Sequence, residues 1–250
     1  MNQLNQVGQG PLKVLWLHGL FGHAQAWGPM VSCLNTALFS HVFIDWRGYG
    51  RRKQVPGRHD LTEMAEDALA LADQLGWAQF AVVAHDVGAL AALQMLSMAP
   101  QRLRRWSAIA PVPPSGLSLS AADSAFYANA ATQSDVRRSL LDLATGQRLA
   151  GPWLEHMVRQ SVESATSSAF GDYFRACTHS TVAAQAGWAS PALQVLAGEF
   201  DGLLPDALLR RSWLSGHPDA QFEVLRNAGH FPMEETPVVL AATVERFLCA

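Results

Sequence analysis

Residues 82–90 read VVAHDVGAL: a run of small apolar residues stops at His85-Asp86, crosses Val87-Gly88 and turns apolar again. Strand, tight turn and helix in that order is the layout of a nucleophile elbow, where G-x-S-x-G sets a serine on a strained turn at a sheet edge. Here the pattern is A-H-D-V-G, with Ala84 in the first glycine slot and Asp86 in the serine slot. A carboxylate in that slot decides both the fold and the chemistry.

Working outward, VLWLHG (14–19), HVFIDW (41–46), FAVVAH (80–85), WSAIAP (106–111), LQVLAG (193–198) and FEVLRN (222–227) are short apolar runs bounded by turn residues, and they predict six strands. Helical patterns lie between them. Asp60-Leu61-Thr62-Glu63 reads as a capping box, followed by Met64, Ala68, Leu71, Ala72 and Leu75 and stopped by Gly76. A second helix runs from about Ala89 to Met98, and a third starts at Thr236-Pro237 and carries Val239, Leu240, Val244 and Phe247. Strands alternating with helices predict an α/β fold with a mostly parallel, doubly wound sheet. Any hairpin ahead of the first strand is short or absent.

Residues 112–187 break the rhythm. They hold no convincing strand but several helical stretches, such as AADSAFYANAA, SDVRRSLLDLA and GPWLEHMVRQSV. They predict an inserted helical cap over the carboxyl ends of the strands, where open α/β sheets bind ligands. The core is then residues 1–111 with 188–250.

Composition narrows the function. In 250 residues, 18 Lys and Arg stand against 21 Asp and Glu, a net charge of -3 with no basic stripe, which argues against a nucleic-acid partner. MNQLNQVGQG has neither a positive n-region nor an apolar h-region, and no apolar run reaches the length of a membrane span, so a soluble, cytoplasmic protein is expected. Cys33, Cys177 and Cys249 are widely spaced and suit neither a disulfide framework nor a zinc site. No G-x-G-x-x-G follows a strand and no P-loop is present, and His156 and His179 lack metal-ligand spacing, so the expectation is no cofactor, no metal and a small-molecule substrate. Oligomeric state is left open.

Three further strand ends complete the elbow's constellation. His18-Gly19-Leu20-Phe21 ends the first strand, Asp201 follows a strand in LAGEFDGLLP, and His230 follows the last strand in NAGHFP. Nucleophile, acid, histidine is the chain order of this class of site. Glu199 and Asp206 are the nearby alternatives to Asp201. His85 reads as a packing residue, because neighbours on a strand point to opposite faces, and Asp45 with Arg47 reads as a loop network.

On LHGLFGHAQAW, IDWRGYGR, AHDVGAL, GEFDGLLP and NAGHFPMEETP the chain resembles the α/β-hydrolase superfamily over essentially its whole length. The resemblance implies Asp86 as nucleophile, His230 as base, Asp201 as its orienting acid, and the backbone N–H groups of Leu20 and Val87 as the oxyanion hole. Outside position 86 it is to cap-bearing esterases, lactonases and carbon–carbon bond hydrolases; at position 86 it is to haloalkane dehalogenases and epoxide hydrolases. Epoxide hydrolases usually carry a proline after the His-Gly, where this chain has Leu20, and dehalogenases often a tryptophan after the nucleophile, where it has Val87.

The physics separates the branches. Serine needs a base before it attacks, whereas a carboxylate with an ordinary pKa near 4 attacks alone. Against an ester carbonyl, Asp86 would have to expel an alkoxide far more basic than itself, so collapse runs backwards. Against an epoxide or a carbon–halogen bond, displacement gives an alkyl ester of Asp86, which water activated by His230 then cleaves. For the leaving group, Tyr127 and Tyr173 offer phenols to an epoxide oxygen, and Trp153 or Trp188 an indole N–H to a halide. Three readings follow: alkyl-ester hydrolysis through Asp86, an esterase or lactonase whose serine slot holds aspartate, and a non-catalytic ligand-binding protein.

Overall fold

The computed structural model describes residues 5–179 and 191–250. Among them, seven strands form one sheet: β1 (Asn5–Val7), β2 (Leu12–Leu17), β3 (Phe39–Ile44), β4 (Phe80–His85), β5 (Leu103–Ile109), β6 (Ala192–Gly198) and β7 (Gln221–Leu225), in the order β1-β3-β2-β4-β5-β6-β7. Only β1 is antiparallel to its neighbour. It is the strand that sequence reading did not place, because NQV at a sheet edge has no apolar run to reveal it. The central strands β2 and β4 carry the apolar runs expected where helices cover both faces of a parallel sheet; Val14 to Leu17 and Val82 to Ala84 are wholly buried.

Four predicted strands overrun the observed ones. His18-Gly19, Asp45-Trp46, Ala110-Pro111 and Arg226-Asn227 lie beyond the last residues of β2, β3, β5 and β7, because the chain leaves the ladder there to build loops; Ala110 takes φ +40°.

Helix α1 (Leu61–Gln74) starts on Asp60, whose side chain accepts the Glu63 N–H at 2.7 Å. The reciprocal half of the expected capping box is absent. Glu63 instead accepts the N–H groups of Arg58 and His59, at 2.7 and 3.1 Å, because the preceding loop folds back over the first turn. Helix α2 (Gly88–Met98) packs on β2, β4 and β5.

Between β5 and β6 the described residues form α3 (Ala121–Ala128), α4 (Ser134–Ala144), α5 (Gly151–Ser164) and α6 (Ser167–Thr178), with no strand. Helix α6, with Gly171 inside it, is the one that sequence patterning did not single out. After β6 come α7 (Asp206–Leu214), the short α8 (Pro232–Glu235) and α9 (Pro237–Cys249), the last packed on β5 and on the turn at Gly28–Cys33. No helix among the described residues is long and apolar enough to cross a membrane.

Candidate active site

Asp86 sits on the turn between β4 and α2 with φ +53°, a left-handed conformation that costs an ordinary residue of order 1–3 kcal/mol and persists only where the surroundings enforce it. They do. The Asp86 N–H donates to Ile109 O at 3.1 Å, and the Asp86 carbonyl accepts from Ala89 and Val112. The small residues around it have a steric reason: a Cβ on Gly88 would lie 2.6 Å from Leu17 O, and one on Gly19 would lie 2.7 Å from the Asp86 Cβ. Ala84, in the first glycine slot, is fully buried and accommodated.

The Leu20 N–H donates to Asp86 Oδ2 at 2.8 Å. That amide is held by its loop: Tyr49 Oη donates to Leu20 O at 2.9 Å, and Trp46 Nε1 to His18 O at 3.0 Å. Burial pushes the Asp86 carboxyl up from its usual range, while His230 and the backbone N–H groups of Leu20 and Val87 pull it back towards the anion. The ready ionisation expected from a free carboxylate is therefore conditional on these partners.

His230 Nδ1–H donates to Asp201 Oδ2 at 2.8 Å. Asp201 Oδ1 accepts the N–H groups of Leu203 and Leu204, each at 2.9 Å, so this buried carboxylate is fully satisfied. The two alternatives lie elsewhere: Glu199 pairs with Arg226 and the Asn227 N–H, and Asp206 faces Arg210 on α7. Burial opposes charge on His230, but Asp201, through its charge and its hydrogen bond, together with Asp86 raises the imidazole to about 9. His230 is then an imidazolium at rest, held so by the charge and hydrogen bond of Asp201.

His85 is a structural partner, as expected. Its Nε2–H donates to His230 O at 2.9 Å, and burial holds its pKa far below the usual histidine value, so it stays neutral. Asp45 likewise accepts the loop N–H groups of Ala24 and Arg51, and Arg47 forks onto Asp67.

Asp86 and His230 open on a cavity of about 130 Å³, walled by leucines of both the sheet loops and the inserted helices. Of the four aromatic residues offered to substrate, Tyr127 is the one among the described residues that the structure brings to this lining. Tyr173 is buried in the middle of α6, where its hydroxyl donates to Arg47 O at 3.3 Å and its ring meets Tyr49 and His59. Trp153 packs its ring on Phe231, outside the cavity lining. Trp188 lies outside the described residues. Sequence reading missed Cys177, whose thiol lines the cavity and is pushed far up by burial and by Asp86.

An elbow residue at φ +53° between a parallel strand and a helix, with a buried acid–histidine pair on the loops after the last two strands, is the site of one fold family. The model of the alpha/beta hydrolase family matches residues 14–243. The chain belongs to the alpha/beta hydrolase family. Within the alpha/beta hydrolases, it is 38% identical over 93 residues to a candidate carbamate hydrolase, RutD, of Caulobacter vibrioides, covering 37% of this chain and 34% of that protein. It is 36% identical over 96 residues to epoxide hydrolase B of Mycobacterium tuberculosis, covering 38% and 27%. These matches thus span about a third of the length of the first relative and about a quarter of the second. An esterase of Exiguobacterium antarcticum has the same fold, with a TM-score of 0.86 at 15% identity over 99% of this chain and 95% of that one.

Proposed function

We propose that this alpha/beta hydrolase opens small, uncharged epoxides through an alkyl ester of Asp86, with residues 112–187 acting as the cap of a core formed by 1–111 and 188–250. The observation that carries the reading is the 2.8 Å hydrogen bond from the Leu20 N–H to Asp86 Oδ2. In a serine enzyme that N–H receives the oxyanion of an acyl intermediate. Here the nucleophile's own oxygen occupies it, which would obstruct an ester carbonyl and suits a mechanism in which the Asp86 carboxyl carbon is itself the hydrolysed centre.

In the first step Asp86 Oδ1 bonds to an epoxide carbon, the carbon–oxygen bond of the ring breaks, and the released alkoxide takes the Tyr127 proton. In the second, the His230 imidazolium, no longer facing a charged Asp86, releases its resting proton to solvent, to be regained when Asp86 is free again; the neutral imidazole takes a proton from water, the hydroxide adds to the Asp86 carboxyl carbon, and the Leu20 and Val87 N–H groups hold the oxyanion on Oδ2. Collapse expels the diol alkoxide, which His230 protonates. The proton of the re-formed Asp86 acid returns to the Tyr127 phenolate, so one epoxide and one water give one diol.

The lining supports the choice of substrate. It carries a phenol and no tryptophan among the described residues, which favours an epoxide oxygen over a halide, and it has no Lys or Arg to pair with an anionic haloacid. Its volume is close to the roughly 150 Å³ of a leucine-lined cavity that holds benzene, so substrates of about six non-hydrogen atoms are expected.

An ester-cleaving reading is favoured by one feature, the intact His230–Asp201 pair beside the N–H donors. A panel of 1,2-epoxybutane, cyclohexene oxide, stilbene oxide, 1-bromobutane, chloroacetate, p-nitrophenyl acetate and γ-butyrolactone separates the readings. Turnover of the two small epoxides alone supports the proposal; turnover of the esters or lactone without the epoxides overturns it.

A further inference from the structure

We infer that Glu235, backed by Arg148 from the inserted helices, is a positioning residue that holds the His230 imidazole in register with Asp201 and sets the charge around it. The inference rests on the reading of His230 as the base of the hydrolytic step. Glu235 ends α8, five residues after His230, and its side chain is 2% exposed.

The residues on either side of His230 each donate a backbone N–H to this carboxylate: Gly229 to Glu235 Oε2 at 2.8 Å and Phe231 to Oε1 at 3.1 Å. The backbone of His230 itself is pinned from two other elements. Its N–H donates to Ala144 O, the last residue of α4, at 2.9 Å, and its carbonyl accepts from His85. Three consecutive residues are thereby fixed by four hydrogen bonds.

A buried carboxylate accepting only neutral amides needs a counter-charge. Arg148, in the loop after α4, supplies it: its Nη2 donates to Glu235 Oε2 at 2.5 Å, and its guanidinium lies 4.3 Å from the centre of the Phe200 ring. Phe200 immediately precedes Asp201. One side chain of the insertion therefore touches both loops that carry the acid–histidine pair, so the insertion serves as part of the frame of the base as well as a cover over the cavity.

The ionisable groups facing His230 are Asp201, Asp86, Glu235 and the neutral His85, and those facing Glu235 are Arg148 and His230. Glu235 favours the imidazolium, and burial in turn pushes the Glu235 carboxyl up while the two N–H groups, Arg148 and His230 hold it ionised. Removing the negative charge therefore lowers the proton affinity of His230, and removing only the arginine raises it by leaving the carboxylate uncompensated. A residue that merely supported the fold would move neither.

The test is an NMR titration of the His230 imidazole in the full chain, in wild type, Glu235→Gln, Arg148→Met and Arg148→Lys, with melting temperatures and steady-state kinetics on 1,2-epoxybutane. Glu235→Gln is expected to shift the His230 midpoint down and Arg148→Met to shift it up, each by about half a pH unit or more. Arg148→Lys is expected to restore the wild-type midpoint. In Glu235→Gln, kcat is expected to fall about tenfold or more with KM little changed, since a small misplacement of the base affects the reaction and not substrate binding. Unmoved midpoints in both charge variants, with any loss of kcat tracking melting temperature, would overturn the inference. Should Glu235→Gln fail to fold, the two part-exposed Arg148 variants decide it alone. Shifts as expected in a protein that turns over no epoxide refute the Asp86 reading and leave this one standing.

Discussion

Replacing His230 by glutamine is expected to flatten the pH dependence of stability between pH 6.5 and 10. In the native state the imidazole is raised from 6.5 to about 9, held there by Asp201 and Asp86 against the effect of burial. A group that binds its proton more tightly when folded stabilises the native state fully below its unfolded pKa, and that contribution is lost as pH rises through the folded pKa. At about 1.4 kcal/mol per pKa unit, the difference between 6.5 and about 9 corresponds to on the order of 3 kcal/mol. Urea denaturation of wild type and His230→Gln at pH 6, 7.5, 9 and 10 reads this directly. The wild-type advantage is expected to be largest at pH 6 to 6.5 and mostly gone by pH 10. A constant difference across that range, or one that grows with pH, would refute the description of His230 as a proton held between two carboxylates. The same coupling bears on the reaction: once Asp86 is esterified its charge is gone, so one of the groups holding the proton on His230 disappears when the base is needed.

Other substitutions separate the parts of the site. Tyr127→Phe is expected to lower kcat/KM for epoxides by about 10²-fold with little change in melting temperature, since Tyr127 is only half-buried and on the proposed mechanism its phenol protonates the opened ring; loss of the Tyr173 hydroxyl, which meets Arg47 O, in Tyr173→Phe is expected to affect epoxide turnover far less. Gly19→Ala puts a methyl 2.9 Å from Asp86 Oδ2 and is expected to cost about 10²-fold in kcat by pushing the carboxylate off the Leu20 N–H; unchanged kinetics would show that this hydrogen bond is dispensable. Asp86→Ser is expected to abolish epoxide turnover, because a protonated serine has no ready anion. If that variant cleaves aryl esters strongly and the parent opens no epoxide, the chemistry belongs to the ester branch.

The elbow, the acid and the histidine are legible in the sequence because each is a polar residue breaking an apolar strand at its end, and the order of strands in the chain sets the order of the three. Chain order also distinguishes Asp201 from Glu199 and Asp206 only weakly; the decision comes from loop geometry, which turns Glu199 outward to Arg226. The lining of the cavity was less legible. On α6, Phe174 and Cys177 face the cavity, while Tyr173, one residue earlier and about 100° around the helix, points to Arg47 and His59. Residue type marks a tyrosine as useful, but only the helix's rotation on the sheet says which one meets substrate. Glu63 illustrates the same limit, since the Asp60 cap was predictable and the fold-back of the Arg58-His59 loop onto Glu63 was not.

The measurement that tests the central claim most directly is the intact mass of His230→Gln mixed with 1,2-epoxybutane, followed by peptide mapping. On the proposed mechanism Asp86 attack needs only its anion, whereas cleavage of its ester needs a base; the mixture is held at alkaline pH, so that Asp86 stays ionised without the His230 charge that otherwise pulls it towards the anion. The protein is expected to gain the mass of one epoxide, located on the peptide containing Asp86, and to keep it, while wild type returns to its starting mass as diol appears. Turnover by wild type with no adduct in the variant, or an adduct on any other residue, would contradict Asp86 as the nucleophile.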